Sequence, residues 1–173
     1  MSAHPPDLTP DCDACAALCC VALAFDKGDA FAIDKPAGAP CPHLSHHSCT
    51  IHAALPDKGF PGCVAYGCSG AGQRTIALFD GQSWQDTPAL LAPQMDTFRH
   101  LRRLHDLIEL LTLAAGLPLT QEAKIKRLSL IAALCPQDMT PTVAATLATG
   151  PLPGDVRAFL KSLAALTPKT PAT

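Results

Sequence analysis

The sequence predicts a mainly α-helical protein, in which an irregular cysteine-rich N-terminal segment packs on a small bundle of three or four helices. Three observations support this. Eight of the nine cysteines lie between Cys12 and Cys68, and prolines and glycines repeatedly interrupt that same segment. Apolar residues recur at helical spacing in the C-terminal half. Hydrophobic residues make up 48% of the chain and aromatics only 5%, so we expect a core of aliphatic side chains.

The helical half contains four predicted helices. Phe98, Leu101, Ile108 and Leu111 share one face of the first, which extends from Pro93 to about Ala115 and ends at Gly116-Leu117-Pro118. The other three helices are predicted over 120–134, 140–149 and 156–166. We therefore divide the chain into a cysteine-cluster segment (1–72), a helical domain (73–166) and a disordered Pro/Thr-rich tail (167–173).

The cysteine-rich half offers weaker signals. Ala14–Phe25 is a plausible short helix, Thr50–Leu55 one or two helical turns, and Gln73–Gly81 a strand. The loop 56–62 contains two prolines and two glycines. Such a segment alone has too few large apolar residues to offset the conformational entropy that it loses on folding. A metal crosslink is therefore the expected stabiliser.

The cellular compartment decides how the cysteines are interpreted. The N-terminus has no basic start and no apolar stretch typical of a signal peptide, and the longest apolar run, Leu107–Leu119, is too short to span a bilayer. We therefore expect a cytoplasmic protein without membrane association. There, dense cysteines indicate metal ligation or redox chemistry rather than disulfides. A formal net charge of −2 gives no electrostatic footprint for nucleic acid.

The cysteines form two sets. Cys12-x2-Cys15-x3-Cys19-Cys20 would place its first three thiols on one face of a helix, with Cys20 turned away. The second set, on predicted loops, is Cys41, Cys49, Cys63 and Cys68. Eight thiolates suffice for two four-coordinate centres, for a cluster plus a zinc, or for one site with spare thiols. Zinc and an iron–sulfur cluster both remain open. One hypothesis groups Cys12, Cys15 and Cys19 with one cysteine of the second set.

The order C-x2-C-x3-CC, CP-x-L, C-x-IH, PGC and a final C resembles the CxxCxxCC cysteine-cluster family, also called YkgJ-type proteins. The resemblance covers roughly residues 11–70 and implies zinc or iron chelation by all eight cysteines. It also extends to the cysteine-rich head of some pentapeptide-repeat proteins, although this chain has no such repeats. The chain departs from the family pattern in three places: the three-residue gap before Cys19, His52 where tyrosine is common, and Phe60-Pro61-Gly62 before Cys63.

The histidines are weaker candidates. We interpret His43, His46 and His47 as polar loop residues, because enough thiolates already exist for two sites. His52 is more plausible as a group that supports a ligand, since one helical turn brings it back towards Cys49.

Other motifs have ordinary explanations. Ser69-Gly70-Ala71-Gly72-Gln73 is expected to be a flexible turn, and Arg99–Arg103 with His105 a solvated helix face. Cys135 fits a buried small hydrophobe at the end of a helix.

The leading functional prediction is a non-catalytic metal-binding protein with a structural, delivery or adaptor role. No paired carboxylates, Ser/His/Asp arrangement or H-E-x-x-H motif is present, although thiol chemistry at Cys20 remains open. One alternative is an iron–sulfur redox or sensor protein. The other is a helical accessory protein that binds another protein through 98–115 and 156–166, with the metal as a staple.

Overall fold

The computed structural model describes residues 6–166, so the prediction of a disordered 167–173 tail lies outside the described residues. The fold is mainly α-helical, as predicted. A two-residue antiparallel hairpin pairs Leu44 with Cys49 and Ser45 with Ser48. The elements in chain order are α1 Leu18–Ala22, β1 Leu44–Ser45, β2 Ser48–Cys49, α2 Pro61–Ala65, α3 Ala71–Ala77, α4 Leu91–Leu113, α5 Gln121–Leu134, α6 Pro141–Thr149 and α7 Leu152–Ser162. Short 3-10 turns cover His52–Ala54, Pro88–Leu90, Ala114–Gly116 and Ala164–Leu166.

Helix α4 is the centre of the fold and matches the predicted helix to within two residues at each end. Its apolar face repeats every three or four residues, and Leu101, Leu104, Ile108 and Leu111 are fully buried. Burial of each such side chain contributes about 2 kcal/mol. The helix packs against α1, α3, α5, α6 and α7. It therefore joins the cysteine-rich half to the helical half.

Two of the predicted helix starts are confirmed by their caps. The Thr120 hydroxyl accepts a hydrogen bond from the Ala123 N–H, and the Thr140 hydroxyl accepts one from the Val143 N–H, both at 3.2 Å. Each threonine satisfies one of the free N–H groups in the first turn of its helix. The last helix, α7, begins at Leu152, before the predicted residue 156, because Pro153 is compatible with a first helical turn.

The predictions for the cysteine-rich half were partly wrong. The helix predicted over Ala14–Phe25 is reduced to the five residues of α1, because Ala17 has a φ of 54° and starts the helix only at Leu18. The strand predicted over Gln73–Gly81 is instead α3, whose Thr75 and Ile76 are buried. Packing against α4 overrides the weak strand signal there. The loop predicted over 56–62 ends in helix α2, which starts at Pro61.

One hydrophobic core crosses the predicted boundary at residue 72. Leu18 and Val21 of α1 are buried in the same cluster as Phe98 and Leu134. Helix α3 itself spans the boundary. Between residues 6 and 166, no helix combines the length and hydropathy needed to cross a membrane.

Candidate metal centre

Helix α1 carries the two adjacent cysteines at the middle of the cysteine-rich half. The sulfurs of Cys19 and Cys20 lie 4.0 Å apart, so the two side chains converge instead of pointing away from each other as expected. The Cys20 carbonyl accepts a hydrogen bond from the Cys41 N–H at 3.0 Å, which holds the start of the second cysteine set beside α1.

Cys12 and Cys15 precede α1 in a turn, so the prediction that one helix face carries Cys12, Cys15 and Cys19 was wrong. The turn is closed by a hydrogen bond of 3.3 Å from the Cys15 N–H to the Cys12 carbonyl. The Asp11 carboxylate supports it by accepting from the N–H groups of Asp13 and Ala14. The kink at Ala17 separates this turn from the helix.

The turn nevertheless brings Cys12 and Cys15 into electrostatic range of Cys19 and Cys68. We call these four residues the first thiol group. The Cys15 sulfur lies against α3, where a Cβ atom on Gly72 would be only 2.5 Å from it. Helix α3 begins at Ala71, one residue before that glycine, directly after the turn that follows Cys68. The segment 69–73 is thus a packed helix start rather than the flexible turn that we expected.

The remaining thiols form a second set of neighbours. Cys63, in α2, is in electrostatic range of Cys19, Cys41 and Cys49. Cys41 and Cys49 are connected through β1, because the Leu44 N–H donates to the Cys41 carbonyl and Leu44 pairs with Cys49. We call Cys20, Cys41, Cys49 and Cys63 the second thiol group. Cys19, a member of the first thiol group, also neighbours Cys20 and Cys63 of the second.

The pKa values of Cys12, Cys15, Cys19 and Cys63 are raised, which favours the protonated thiol at these four positions. Burial raises the pKa of Cys15 and of Cys63 to about 11, although the N–H groups of Leu18 and Ala17 act in the opposite direction on Cys15. The thiol of Cys20 hydrogen-bonds with that of Cys19 and, together with burial, raises the pKa of Cys19 strongly. Burial also raises the pKa of Cys12. A metal that binds here must displace these protons, so affinity should increase with pH.

Within residues 6–166, no three Cys, His, Asp or Glu side chains are arranged in a geometry that could hold a metal ion. The thiols are neighbours rather than a ready coordination sphere. Thiolates are ligands that a soft metal prefers. The Tyr66 hydroxyl is buried beside the thiols, next to Arg102. That tyrosine is in electrostatic range of Cys19 and Cys68. An O–H donor next to thiolates is the kind of support that metal-bound sulfur receives.

Side chains of helix α4 contact Gly67 and Ser69, the residues on both sides of Cys68. Arg102 donates from Nε to the Gly67 carbonyl at 2.7 Å, and His105 Nδ1 lies 2.6 Å from the Ser69 carbonyl. The Ser69 hydroxyl donates to Glu109 at 2.9 Å. Burial lowers the pKa of His105, despite that contact with the Ser69 carbonyl. We call Arg102, His105 and Glu109 the α4 clamp.

The α4 clamp was missed in the sequence, where the basic run was interpreted as a solvated face. Arg103 is exposed, as expected, but Arg99 also reaches back and donates to the Ala22 carbonyl at 3.2 Å. The signal was present: Arg99, Arg102, His105 and Glu109 follow each other at three- and four-residue spacing, and so line one stripe of the helix.

The histidines lie at the edge of this region. His47 hydrogen-bonds through Nε2 with the Ser83 hydroxyl at 3.2 Å, and the His43 ring packs edge-on against Phe60 at 5.2 Å. His46 and His52 are exposed. The role predicted for His52 behind a ligand stays a prediction. Cys135 is half-buried and packs on the core at the end of α5, in keeping with a small hydrophobe.

Fold and site define a mainly helical protein with eight cysteines gathered around α1. Comparison with protein-family models finds no match, and no solved structure matches the chain. The chain is similar to the uncharacterized protein YybG of Bacillus subtilis (strain 168), with 39% identity over 134 residues. The match covers 71% of this chain and 48% of YybG, so the chain spans about half the length of that relative.

Proposed function

We propose that the protein binds a soft metal through its eight N-terminal cysteines, as zinc or as an iron–sulfur cluster, in a non-catalytic role. The observation that carries this proposal is the convergence of thiols around Cys19. Cys12 lies in a turn and Cys63 in α2, yet each is in electrostatic range of Cys19, and Cys68 is in range of Cys12 and Cys15. Thiolates repel one another, and a cation is the ordinary reason for collecting so many.

The two thiol groups suggest two four-coordinate centres. The first would use Cys12, Cys15, Cys19 and Cys68, in agreement with the hypothesis that the opening cysteines share a centre with one later cysteine. The second would use Cys20, Cys41, Cys49 and Cys63. Such all-thiolate sites are typical of structural zinc and of iron–sulfur clusters.

A structural, delivery or adaptor role fits better than catalysis. A cavity of about 320 Å³ is lined by residues that include Leu44, His46 and Trp84, but by none of the eight cysteines. It therefore gives a substrate no direct access to the thiols. An iron–sulfur cluster that transfers electrons or senses oxidants is the alternative use of the same thiols.

The test is anaerobic purification followed by an absorption spectrum and elemental analysis of the same sample. Broad absorption near ~400 nm together with iron and sulfide would identify a thiolate-ligated cluster. One or two zinc ions with a featureless visible spectrum would identify closed structural sites. Cys19→Ser should lower the metal content, whereas Cys135→Ser should leave it unchanged. A protein that contains neither metal, and takes up neither when reconstituted, would refute the proposal.

A second candidate is an accessory protein whose helical half binds another protein. Exposed aliphatic side chains favour it: Leu113 is 69% exposed, Ile125 61%, Leu128 56% and Leu110 48%. The partner that can be tested directly is a second copy of the chain. Concentration-dependent light scattering that Leu113→Ser abolishes would support this candidate, and a monomer at all concentrations would argue against self-association.

A further inference from the structure

Lys35 is a buried cation in the loop between α1 and β1. Only 4% of the residue is exposed. Its ammonium donates to the carbonyls of Ala39 at 2.9 Å, Pro36 at 3.2 Å and Val21 at 3.5 Å. Its backbone pairs with Phe25 through two hydrogen bonds of 2.8 and 2.9 Å, and the ammonium lies 4.9 Å from the centre of the Phe25 ring. The position of the charge is therefore fixed from several sides.

No carboxylate in residues 6–166 forms an ion pair with Lys35. Its ionisable neighbours are instead Cys41, Cys20 and Cys19. A buried ammonium without a counter-charge is strongly unfavourable, and neutral carbonyls compensate it only in part. The ammonium lies between two segments that carry thiols, because Val21 directly follows Cys20 and Ala39 precedes Cys41 by two residues. These segments are joined by the hydrogen bond of 3.0 Å from the Cys41 N–H to the Cys20 carbonyl. Thiolates that ligate a metal beside the ammonium would supply the missing negative charge.

We propose that Lys35 is the internal counter-cation of the second thiol group, and that the loaded centre there carries a net negative charge. The proposal rests on the metal-binding function above and deepens it. Four thiolates around a divalent ion leave an excess of negative charge, whereas a mixed site of two thiolates and two neutral histidines does not. Lys35 thus favours an all-thiolate centre and makes His43, His46 and His47 unnecessary as ligands. It acts through the thiolates, and so is a positioning residue rather than a ligand.

The experiment titrates the reduced, metal-free protein with Co²⁺ under argon, followed by competition with Zn²⁺. Co²⁺ reports thiolate ligation through its charge-transfer absorption. Lys35→Gln keeps N–H donors for the carbonyls but removes the charge, and Lys35→Arg keeps the charge. Lys58→Gln makes the same chemical change on a solvent-exposed lysine of the same half. Circular dichroism of each metal-free variant reports whether its helices are intact.

We expect Lys35→Gln to weaken Co²⁺ binding roughly 10- to 100-fold, as residues that support metal ligands do. Lys35→Arg and Lys58→Gln should stay within about threefold of the wild type, well inside that loss. Equal affinity for Lys35→Gln and the wild type would overturn the counter-cation role and leave metal binding intact. Equal losses in Lys35→Gln and Lys35→Arg would also overturn it, because charge would then be irrelevant. If Lys35→Gln does not fold, Lys35→Met replaces it, and its Co²⁺ affinity is compared with those of the wild type and Lys35→Arg in the same way. A wild type that binds no Co²⁺ and assembles no iron–sulfur cluster on reconstitution would overturn both proposals.

Discussion

The contact between Gly72 and Cys15 leads to a prediction with an internal control. Gly72→Ala places a Cβ atom 2.5 Å from the Cys15 sulfur and 3.3 Å from its Cβ atom, well inside van der Waals contact. Replacing glycine by alanine within a helix ordinarily stabilises it by about 1 kcal/mol. Overpacking at a tight contact costs about 1–3 kcal/mol. The net effect should therefore lie between neutral and about 2 kcal/mol destabilising.

The matched control is Gly154→Ala in the first turns of α7, where an added Cβ meets nothing within 4 Å. That variant should gain about 0.5–1 kcal/mol, because only the helix term remains. Urea unfolding of the reduced, metal-free proteins measures both changes. The Cys15 sulfur can escape the new methyl group only by rotating away, so Gly72→Ala should also lower the metal content after reconstitution. Equal stabilisation by the two substitutions would show that residue 72 and the Cys15 sulfur are not in contact.

Three further predictions concern the helical half. His105→Gln should flatten the pH dependence of stability. The pKa of His105 in the folded protein lies below its ordinary value of 6.5. The contribution of His105 to the free energy of unfolding is therefore present above pH 6.5 and is lost as the pH falls through the folded pKa. Equally steep profiles for the variant and the wild type from about pH 7 to 5 would contradict this. Thr140→Ala should cost about 1 kcal/mol through the lost α6 cap, measured against exposed Thr142→Ala as an equal-sized change without a capping role. Leu104→Ala should cost about 2–5 kcal/mol in urea unfolding, and exposed Leu113→Ala far less.

The helical half could be predicted because its helices contain their own signals. The apolar repeat of α4 and the threonines at positions 120 and 140 are local patterns that packing reinforces. The cysteine-rich half has no such repeat, so its backbone depends on contacts that are distant in sequence. The left-handed Ala17 and the helical α3 both follow from tertiary packing, and no pattern within a few residues indicates either.

The candidate site, too, could be predicted from the sequence only in part. The eight cysteines were visible in the sequence because of their spacing, but their grouping was not, since Cys68 meets Cys12 and Cys15 only after the chain has folded. Lys35 gave no signal at all, because a single lysine in a loop is normally exposed. The α4 clamp was visible as a stripe, yet only the fold shows that the stripe contacts the turn around Cys68.

The α4 clamp and α1 together determine how the proposed metal binding would be linked to folding. Helix α1 buries Leu18 and Val21 in the core that α4 organises, and the next residues of the same helix carry Cys19 and Cys20. The clamp holds the backbone on both sides of Cys68. Thiols from both groups are therefore attached to elements that pack on the helical core. If the protein binds metal as proposed, the free energy of binding would stabilise the packing of α1 and of the Cys68 turn on α4, and removal of the metal should loosen those contacts before it affects α5 and α6.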